Sequence, residues 1–292
     1  MCFMEEKEIY LDIDRRINEH KYGEYLYHYT SIPVLFNILN NKQFWFGNTA
    51  TMNDKKEVKY FIELLKCELM KEMNDKAMMG DALQKCEEFF DSAMSHIDKL
   101  YPYAMCLSKL DDDAAQWERY ADDAKGVCIV FNARKLMRVF YEGTILFSNV
   151  YYTTSVKKHQ HYKLLSDYFM NGNLIGFDNE KGLMENIIAC GYAYKHKSFR
   201  SEQEVRVLNL WNRIPKHSTD ATECVSGTIR RVLKIDMDKR CTDAGIRFCD
   251  LFEKLVIGPR SRQDIISLQK FVEDNGMSEL KERIYKTDCP LN

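Results

Sequence analysis

The sequence lacks long hydrophobic runs and any excess of charge of one sign. No stretch approaches the roughly 20 consecutive apolar residues that a membrane-spanning helix requires. The first residues, MCFMEEKEIYLDIDRR, carry charges where a secretion signal needs an apolar centre. Lysine and arginine number 42 against 44 aspartates and glutamates, so no overall field would attract nucleic acid or an anionic membrane. We therefore expect a cytoplasmic protein with no membrane partner.

The sequence also lacks the spacings of common metal and disulfide sites. Its ten cysteines include no CxxC pair, and there is no HExxH motif. Several cysteines stand inside apolar runs such as VCIVF, where a free cysteine behaves as a small hydrophobe. His159 and His161 have no cysteine near them in the sequence. We expect reduced core cysteines and no bound metal.

Hydrophobic residues are abundant enough for a large core, since they make up 45% of the 292 residues and aromatic residues 12%. Helical and strand patterns follow one another without a steady βαβ order. This order predicts an α+β fold with a bent or split mixed sheet and flanking helices. We expect a single domain over residues 1–292, with a helical insertion at about 54–100.

Local patterns predict the individual elements. Apolar runs bounded by turn residues predict strands at YLYHY, FWFG, YAMCLS, GVCIVF and SEQEVRVLNLW. Residues 212–223 form a predicted polar loop, and Ser261 is the predicted N-cap of a late helix. Apolar residues at helical spacing predict further helical stretches at about 55–73, 76–99 and 155–197, and Gly172 and Gly176 are expected to break the last of them.

One short segment, SEQEVR, has charged residues at every second position. Successive strand side chains point to opposite faces, so Glu202, Glu204 and Arg206 would share one face. Val205 and Val207 would then anchor the strand in the core. Two glutamates so close together repel each other unless something uses them. The segment predicts a functional site, with a solvated ladder of charges as the structural alternative.

Three other polar groupings interrupt core-like segments. Each also has a structural explanation: a hydrogen-bonded histidine at a strand end, helix capping, or aromatic core packing. The groupings are His28 with Thr30 and Ser31; Asn53, Asp54 and Glu57; and Gln116, Trp117 and Tyr120. Together with SEQEVR, they are the candidate site residues of the chain.

Several longer stretches have a characteristic order: LYHYTSIPVLFNILNNKQFWFGNTATMNDKKE, CLS with QWERYADDAKGVCIVF, YKHKSFRSEQEVR and VIGPRS. Jointly they resemble the successive motifs of a large bacterial family known as domain of unknown function 2971. The chain departs from the family pattern at Lys55, Gln116 and Phe199, where proline, methionine and tryptophan are common. The family name implies no activity.

A second resemblance concerns the layout of the chain. A strand bearing a histidine, a short helix of the form xxLxxIL and a distant strand beginning ExEVRVL are similar to the layout of ADP-ribosyltransferases. This resemblance implies an ADP-ribosyltransferase-like fold. It also implies an enzyme that uses NAD as a substrate. It implies that His28 holds the adenosine ribose and Glu204 the nicotinamide ribose. Glu202 would be the upstream member of the glutamate pair.

The implied chemistry suits these residue types. Cleaving the nicotinamide bond creates an oxocarbenium-like ribose that a carboxylate can stabilise, and a second carboxylate can orient or deprotonate the acceptor. An aromatic ring must stack on the nicotinamide, with Tyr120 as the first candidate and Tyr29 as the next. The other residues expected to bind NAD are Thr30, Ser31, Asn53, Asp54 and Arg206.

The sequence leaves three functions open. The first is NAD-dependent ADP-ribosyl transfer to a protein or nucleic acid acceptor, or hydrolysis of NAD. The second is a metal-dependent nuclease or phosphodiesterase, in which magnesium would be bound by Asp54, Glu57, Glu202 and Glu204. The third is a noncatalytic nucleotide-binding sensor, for example in a bacterial defence or stress system.

Overall fold

A computed structural model describes residues 22–291, apart from 50–53, 79, 98, 100, 101, 142–144, 175, 211–213 and 226. Within these residues, ten strands form one mixed sheet, and two short parallel strands, β6 and β7, pair separately. The strands are β1 (Tyr25–Thr30), β2 (Gln43–Asn48), β3 (Tyr103–Ser108), β4 (Val127–Asn132), β5 (Ile145–Asn149), β6 (Tyr151–Thr153), β7 (Tyr194–His196), β8 (Glu204–Asn209), β9 (Ser218–Val225), β10 (Thr228–Asp236), β11 (Phe252–Ile257) and β12 (Ile284–Lys286).

β3 joins the two halves of the large sheet. β8 runs antiparallel along the whole of β3, from Tyr103 opposite Asn209 to Ser108 opposite Glu204. On the other edge of β3, β1 pairs at Ser108, whereas β2 pairs at Tyr103 and Ala104. The sheet therefore splits beyond β3. β4, β11 and β12 continue from β1, and β10 and β9 continue from β2.

Helices flank this sheet, so the predicted α+β class with a mixed sheet and flanking helices is confirmed. α2 and α3 lie in the chain between β2 and β3, which pair with each other. Among the described helices, none is long and apolar enough to cross a membrane. The helices are α1 (Ile32–Asn41), α2 (Asp54–Asp75), α3 (Asp81–Ile97), α4 (Ala114–Tyr120), α5 (Ala133–Val139), α6 (Gln160–Asn171), α7 (Glu180–Gly191), α8 (Met237–Asp243) and α9 (Ile265–Asp274).

The two faces of the sheet support different hydrophobic clusters. Val205 and Val207 of β8 belong to a cluster that also contains residues of α1, α5, α8 and α9. Leu208 points to the opposite face and belongs to a second cluster with residues of α2, α3, α6 and α7. All six residues of β8 are buried, because both of its faces are covered.

A third, smaller cluster contains Tyr27 of β1 and Trp117 of α4. Tyr27 pairs with Ser108, and Ser108 pairs with Glu204. Directly opposed residues of antiparallel strands point to the same face. The second and third clusters therefore share one face of the sheet, and the seam between them lies along the β3–β8 pair.

The structure corrects three predicted elements. The predicted helical stretch at 155–197 is broken after α6, at Gly172, as expected, but its end contains the strand β7. The predicted loop at 212–223 contains most of β9, an edge strand whose polar side chains form ion pairs with β10. The helix expected to start from a Ser261 cap begins at Ile265, because the Asp264 side chain caps it instead.

A left-handed turn after α4 fixes this helix on the sheet. Asp122, Asp123 and Ala124 have φ values of 52°, 54° and 64°, a region that is costly for residues other than glycine. The amide of Ala124 donates to the Trp117 carbonyl (2.9 Å), and the amide of Arg260 donates to the Ala124 carbonyl (3.0 Å). The turn thus connects the end of α4 to the loop that follows β11.

Gly126, just after this turn, has no room for a side chain. A Cβ atom there would meet backbone atoms, the Thr30 oxygen at 2.0 Å and the Ala121 oxygen at 2.9 Å. We expect Gly126→Ala to lower the free energy of unfolding by about 3 kcal/mol in urea denaturation. Gly182→Ala in α7 is the control, because its Cβ would make contacts of 3.6 Å or more. Similar losses in both variants would contradict this account.

Candidate functional site

A cluster of four buried charged side chains and one partly buried carboxylate lies at the seam between the second and third hydrophobic clusters. It consists of Glu57, Lys195, Glu202, Glu204 and Arg206, whose side-chain exposure runs from 0% for Arg206 to 14% for Glu57. The five residues come from α2, β7, a 3₁₀ helix and β8. Charged groups this deeply buried are stable only when they are paired.

Lys195 is the centre of the cluster. Its Nζ lies 2.7 Å from Glu204 Oε2, 2.8 Å from Glu202 Oε2 and 3.4 Å from Glu57 Oε1. β7 pairs with β6, which places Tyr152 beside Lys195 in the register of the two strands. One ammonium group thus joins carboxylates from three different elements of the fold.

Arg206 connects the same carboxylates from the strand β8. Its Nε donates to Glu204 Oε1 at 2.7 Å, and its Nη2 donates to Glu57 Oε2 at 2.7 Å. Its Nη1 donates to the Tyr192 carbonyl at 2.7 Å. These short charge-assisted hydrogen bonds hold β8 to the start of α2 and to the segment after α7.

The charges within the cluster fix one another's protonation states. Burial alone would raise the pKa of the Glu204 carboxyl, but Arg206 and Lys195 lower this pKa to about 2. Burial likewise opposes the charge of Lys195, but Glu204 and Glu57 raise the pKa of Lys195 well above its usual value. Glu204 and Lys195 are therefore both charged at neutral pH.

Glu202 and Glu204 lie in different elements, which corrects the prediction that they share one strand face. Glu202 ends a 3₁₀ helix that starts at Lys197, and β8 begins at Glu204. Between them, Gln203 has a left-handed backbone with φ of 43°. Such a conformation costs a non-glycine residue about 1–2 kcal/mol. This turn lets two glutamates two positions apart approach the same ammonium group.

Glu202 connects the buried cluster to solvent. Its Oε1 accepts a hydrogen bond from the Tyr120 hydroxyl (2.8 Å) and lies 3.6 Å from Arg119 Nη1. Burial and the Glu202 carboxylate raise the pKa of Tyr120, so its hydroxyl keeps its proton. Tyr120 is 46% exposed, and the exposed ring of Phe199 has its centre 5.7 Å from Lys195 Nζ. Two accessible aromatic rings and a guanidinium therefore lie at the outer end of the cluster.

α4 brings Tyr120 and Arg119 to this position and is fixed along its length. The Asp113 side chain caps the helix by accepting a hydrogen bond of 2.9 Å from the amide three residues on. The fully buried Trp117 packs edge-on against Tyr29, with ring centres 5.0 Å apart. The left-handed turn holds the other end. Trp117 is thus a core residue, whereas Tyr120 belongs to the site.

His28 lies on the opposite face of the sheet from Glu204. Tyr27 shares the face of Glu204, so the next residue points the other way, as Leu26 does. The His28 Nδ1 is 3.1 Å from the carbonyl oxygen of Cys106 in β3. Strand alternation thus points His28 and Glu204 to opposite faces, and the binding roles that the resemblance implies for them stay a prediction.

Of the other residues expected to bind NAD, Tyr29 and Thr30 lie in β1, and Ser31 lies just before α1. Tyr29 is buried, and its hydroxyl donates to a backbone carbonyl of the loop after β3 (2.9 Å). Thr30 is buried in β1, and Ser31 precedes α1 without a side-chain capping bond. Asp54 begins α2, and Asn53 lies outside the described residues. Their roles in binding stay predictions.

The metal hypothesis requires carboxylates that converge, and Glu57, Glu202 and Glu204 do converge. They meet on the Lys195 ammonium, which takes the position that the hypothesis gives to magnesium. Across the described part of the chain, no group of three His, Cys, Asp or Glu side chains is arranged to hold a metal ion. The three carboxylates are thus paired with a lysine of the chain, and magnesium binding stays a prediction.

Two residues of the site, Lys195 and Arg119, are not predicted from the sequence. Lys195 belongs to YKHKSFRSEQEVR, where several lysines and arginines precede the glutamates and nothing marks one of them as buried. The signal that could find it is its place in the short strand YKH, seven residues before Glu202. Glu57 lies 149 residues before Arg206, so their contact depends on the fold.

Replacing Lys195 with methionine tests the cluster, because it removes the ammonium and keeps a long side chain. We expect Lys195→Met to lower the free energy of unfolding by about 3–5 kcal/mol at neutral pH, since buried carboxylates lose their partner. The loss should shrink in acid, where carboxylates take up protons. Lys181→Met is the control, because its side chain is 74% exposed. Equal effects in urea denaturation would refute the assigned role.

The contact of His28 predicts a dependence of stability on pH. Burial lowers the pKa of His28 below its ordinary value of 6.5, although the Cys106 carbonyl opposes this shift. The unfolded chain therefore binds a proton that the folded chain excludes, and stability is lost as the pH falls below about 6.5. Asparagine keeps a hydrogen-bond donor but does not titrate. We therefore expect the urea midpoint of His28→Asn to change less than that of the wild type between about pH 7.5 and pH 5. Parallel curves for both proteins would contradict this.

Comparison with known proteins identifies one similarity. Residues 116–207 match the family described as "Protein of unknown function (DUF2971)", and this segment contains Tyr120, Lys195, Glu202 and Arg206. The match covers less than half of the chain and leaves out the motifs LYHYTSIP and VIGPRS. No curated protein and no solved structure matches the chain, so the resemblance to ADP-ribosyltransferases stays a prediction. The chain is thus similar to a family of unknown function over the segment that carries most of the site.

Proposed function

We propose that the chain is an enzyme that cleaves NAD at the nicotinamide bond and transfers ADP-ribose to an acceptor or to water. The observation that supports this proposal is the position of Glu202, a buried carboxylate whose Oε1 faces the exposed Tyr120. Glu204 is less suited to contact a substrate, because two buried cations hold its oxygens, Arg206 at Oε1 and Lys195 at Oε2, and neither oxygen faces an exposed residue as Glu202 Oε1 does. In this proposal Glu202 takes the role that the resemblance implies for Glu204.

The residues around Glu202 suit this chemistry. When nicotinamide leaves with the bonding electrons, positive charge develops on the ribose. Glu202 can accept a hydrogen bond from a ribose hydroxyl, stabilise that charge and take the proton of the attacking water or acceptor. Lys195 holds the other oxygen of Glu202 at 2.8 Å and so orients the carboxylate. The exposed rings of Tyr120 and Phe199 can stack on the nicotinamide.

A noncatalytic nucleotide-binding module is the second candidate. One observation favours it: both oxygens of Glu202 and both oxygens of Glu204 already have partners within the protein. A site that is paired in this way can bind a ligand at its rim without turnover. The chain would then report the presence of a nucleotide, as a sensor in defence or stress does, and would not consume it.

Incubation with NAD tests the proposed activity, with released nicotinamide as the measured product and with or without protein and nucleic acid acceptors. We expect Glu202→Gln to lower the rate by about 100-fold or more, since an amide neither takes a proton nor balances the developing charge. Tyr120→Phe keeps the ring and loses the hydrogen bond, so its loss should be smaller. Circular dichroism and thermal unfolding verify that each variant is folded.

Glu204→Gln distinguishes the two glutamates. If this variant is folded and inactive while Glu202→Gln keeps its activity, the proposed exchange of roles is wrong. NAD binding by the wild type with no nicotinamide release after long incubation favours the sensor. If the wild type neither binds nor cleaves NAD, the proposed activity and a sensor of NAD are both refuted.

A further inference from the structure

We propose that Arg119 binds a phosphate of the nucleotide and that it leaves Glu202 when it does so. This inference rests on the proposed function and deepens it, since it names the group that selects a phosphorylated ligand. In the structure, the Arg119 guanidinium lies next to the carboxylate that would contact the ribose. The same side chain is therefore placed to contact both this carboxylate and a ligand that binds beside it.

The contact between Arg119 and Glu202 is the weakest that Glu202 makes. Arg119 Nη1 is 3.6 Å from Glu202 Oε1, whereas the Tyr120 hydroxyl and Lys195 Nζ each lie 2.8 Å from an oxygen of Glu202. The Arg119 side chain is also 54% exposed. An ion pair at this distance with one exposed partner is weak, because solvent and salt screen it. A ligand anion can therefore replace Glu202 as the partner of Arg119 at little cost.

The backbone that carries Arg119 is rigid although its side chain is exposed. Asp113 caps the start of α4, Trp117 is fully buried, and the left-handed turn Asp122–Ala124 holds the end. Any movement on binding therefore belongs to the Arg119 side chain, which can swing about a fixed helix. An arginine also presents a planar fork of donors that matches phosphate oxygens.

The charges of the cluster indicate why the anion binds at Arg119 and not deeper. Three carboxylates face two buried cations, Lys195 and Arg206, so Arg119 is the third cation near the cluster. A phosphate beside Glu202 would meet a carboxylate, whereas a neutral ribose hydroxyl would donate to it. Lys197 and Arg200 are exposed on the 3₁₀ helix that ends at Glu202 and add positive charge at the rim.

The ligand defined by these contacts carries a phosphate and a free ribose hydroxyl on the same molecule. Phosphate binds outside, at Arg119, and the hydroxyl binds inside, at Glu202. A nucleotide or dinucleotide has both groups, whereas a nucleoside has the hydroxyl alone. The site should therefore discriminate nucleotides from nucleosides through Arg119.

Isothermal titration with two probes tests this inference. ADP-ribose carries phosphates, and nicotinamide riboside does not. We expect Arg119→Ala to weaken ADP-ribose binding by about 10-fold or more, as for loss of a charged hydrogen bond, and to leave nicotinamide riboside binding within about 2-fold. Arg119→Lys should recover part of the ADP-ribose affinity, because it keeps the charge and loses the fork. Arg262→Ala, at an exposed arginine of another loop, is the control.

The outcomes separate this inference from the proposed function. If Arg119→Ala binds ADP-ribose as tightly as the wild type, or loses affinity for both probes equally, Arg119 does not select phosphate and the inference is wrong. Nicotinamide release from NAD by the wild type would still support the proposed function in that case. If the wild type binds neither probe and releases no nicotinamide, the proposed function and this inference are both wrong.

Discussion

The attraction between one lysine ammonium and three buried carboxylates is the interaction on which the rest of the site depends. Lys195 joins α2, the 3₁₀ helix and β8 at the seam between the second and third hydrophobic clusters. Arg206, which lies in β8, forms further ion pairs with two of these carboxylates, Glu57 and Glu204. A charged seam is a costly way to join two clusters, because each ion must be taken from water. Its geometry defines where a ligand can reach a carboxylate.

Glu202 and Glu204 have different contacts, which suit them to different roles. Glu204 is enclosed by cations on both of its oxygens, which suits it to hold the sheet and the helices together. Glu202 shares the same lysine but extends to the exposed Tyr120. The left-handed Gln203 between them produces this difference. A strained residue beside a candidate site is a recurrent feature of positions where side-chain placement matters.

Prediction from the sequence succeeds where the signal is local. The apolar strand YAMCLS and the periodic residues of α2 lie close to where their patterns indicate. β9 is predicted as a loop, because the sequence of an edge strand with paired charges resembles that of a polar loop. The convergence of Glu57, Glu202 and Glu204 is predicted, but their partner Lys195 depends on tertiary contacts that no local pattern records. The face of His28 likewise depends on how β1 pairs with β3.

The split around β3 has a consequence for how the chain reaches its native state. β3 is bordered by β1, β2 and β8, whose residues span positions 25 to 209. Its edge toward β8 stays open until Glu204–Asn209 has been synthesised, so the central contacts have high sequence separation. During translation, the earlier strands would expose an unpaired apolar edge to other chains. Folding of this protein should therefore be slow and late, and sensitive to chaperones that shield nascent strands.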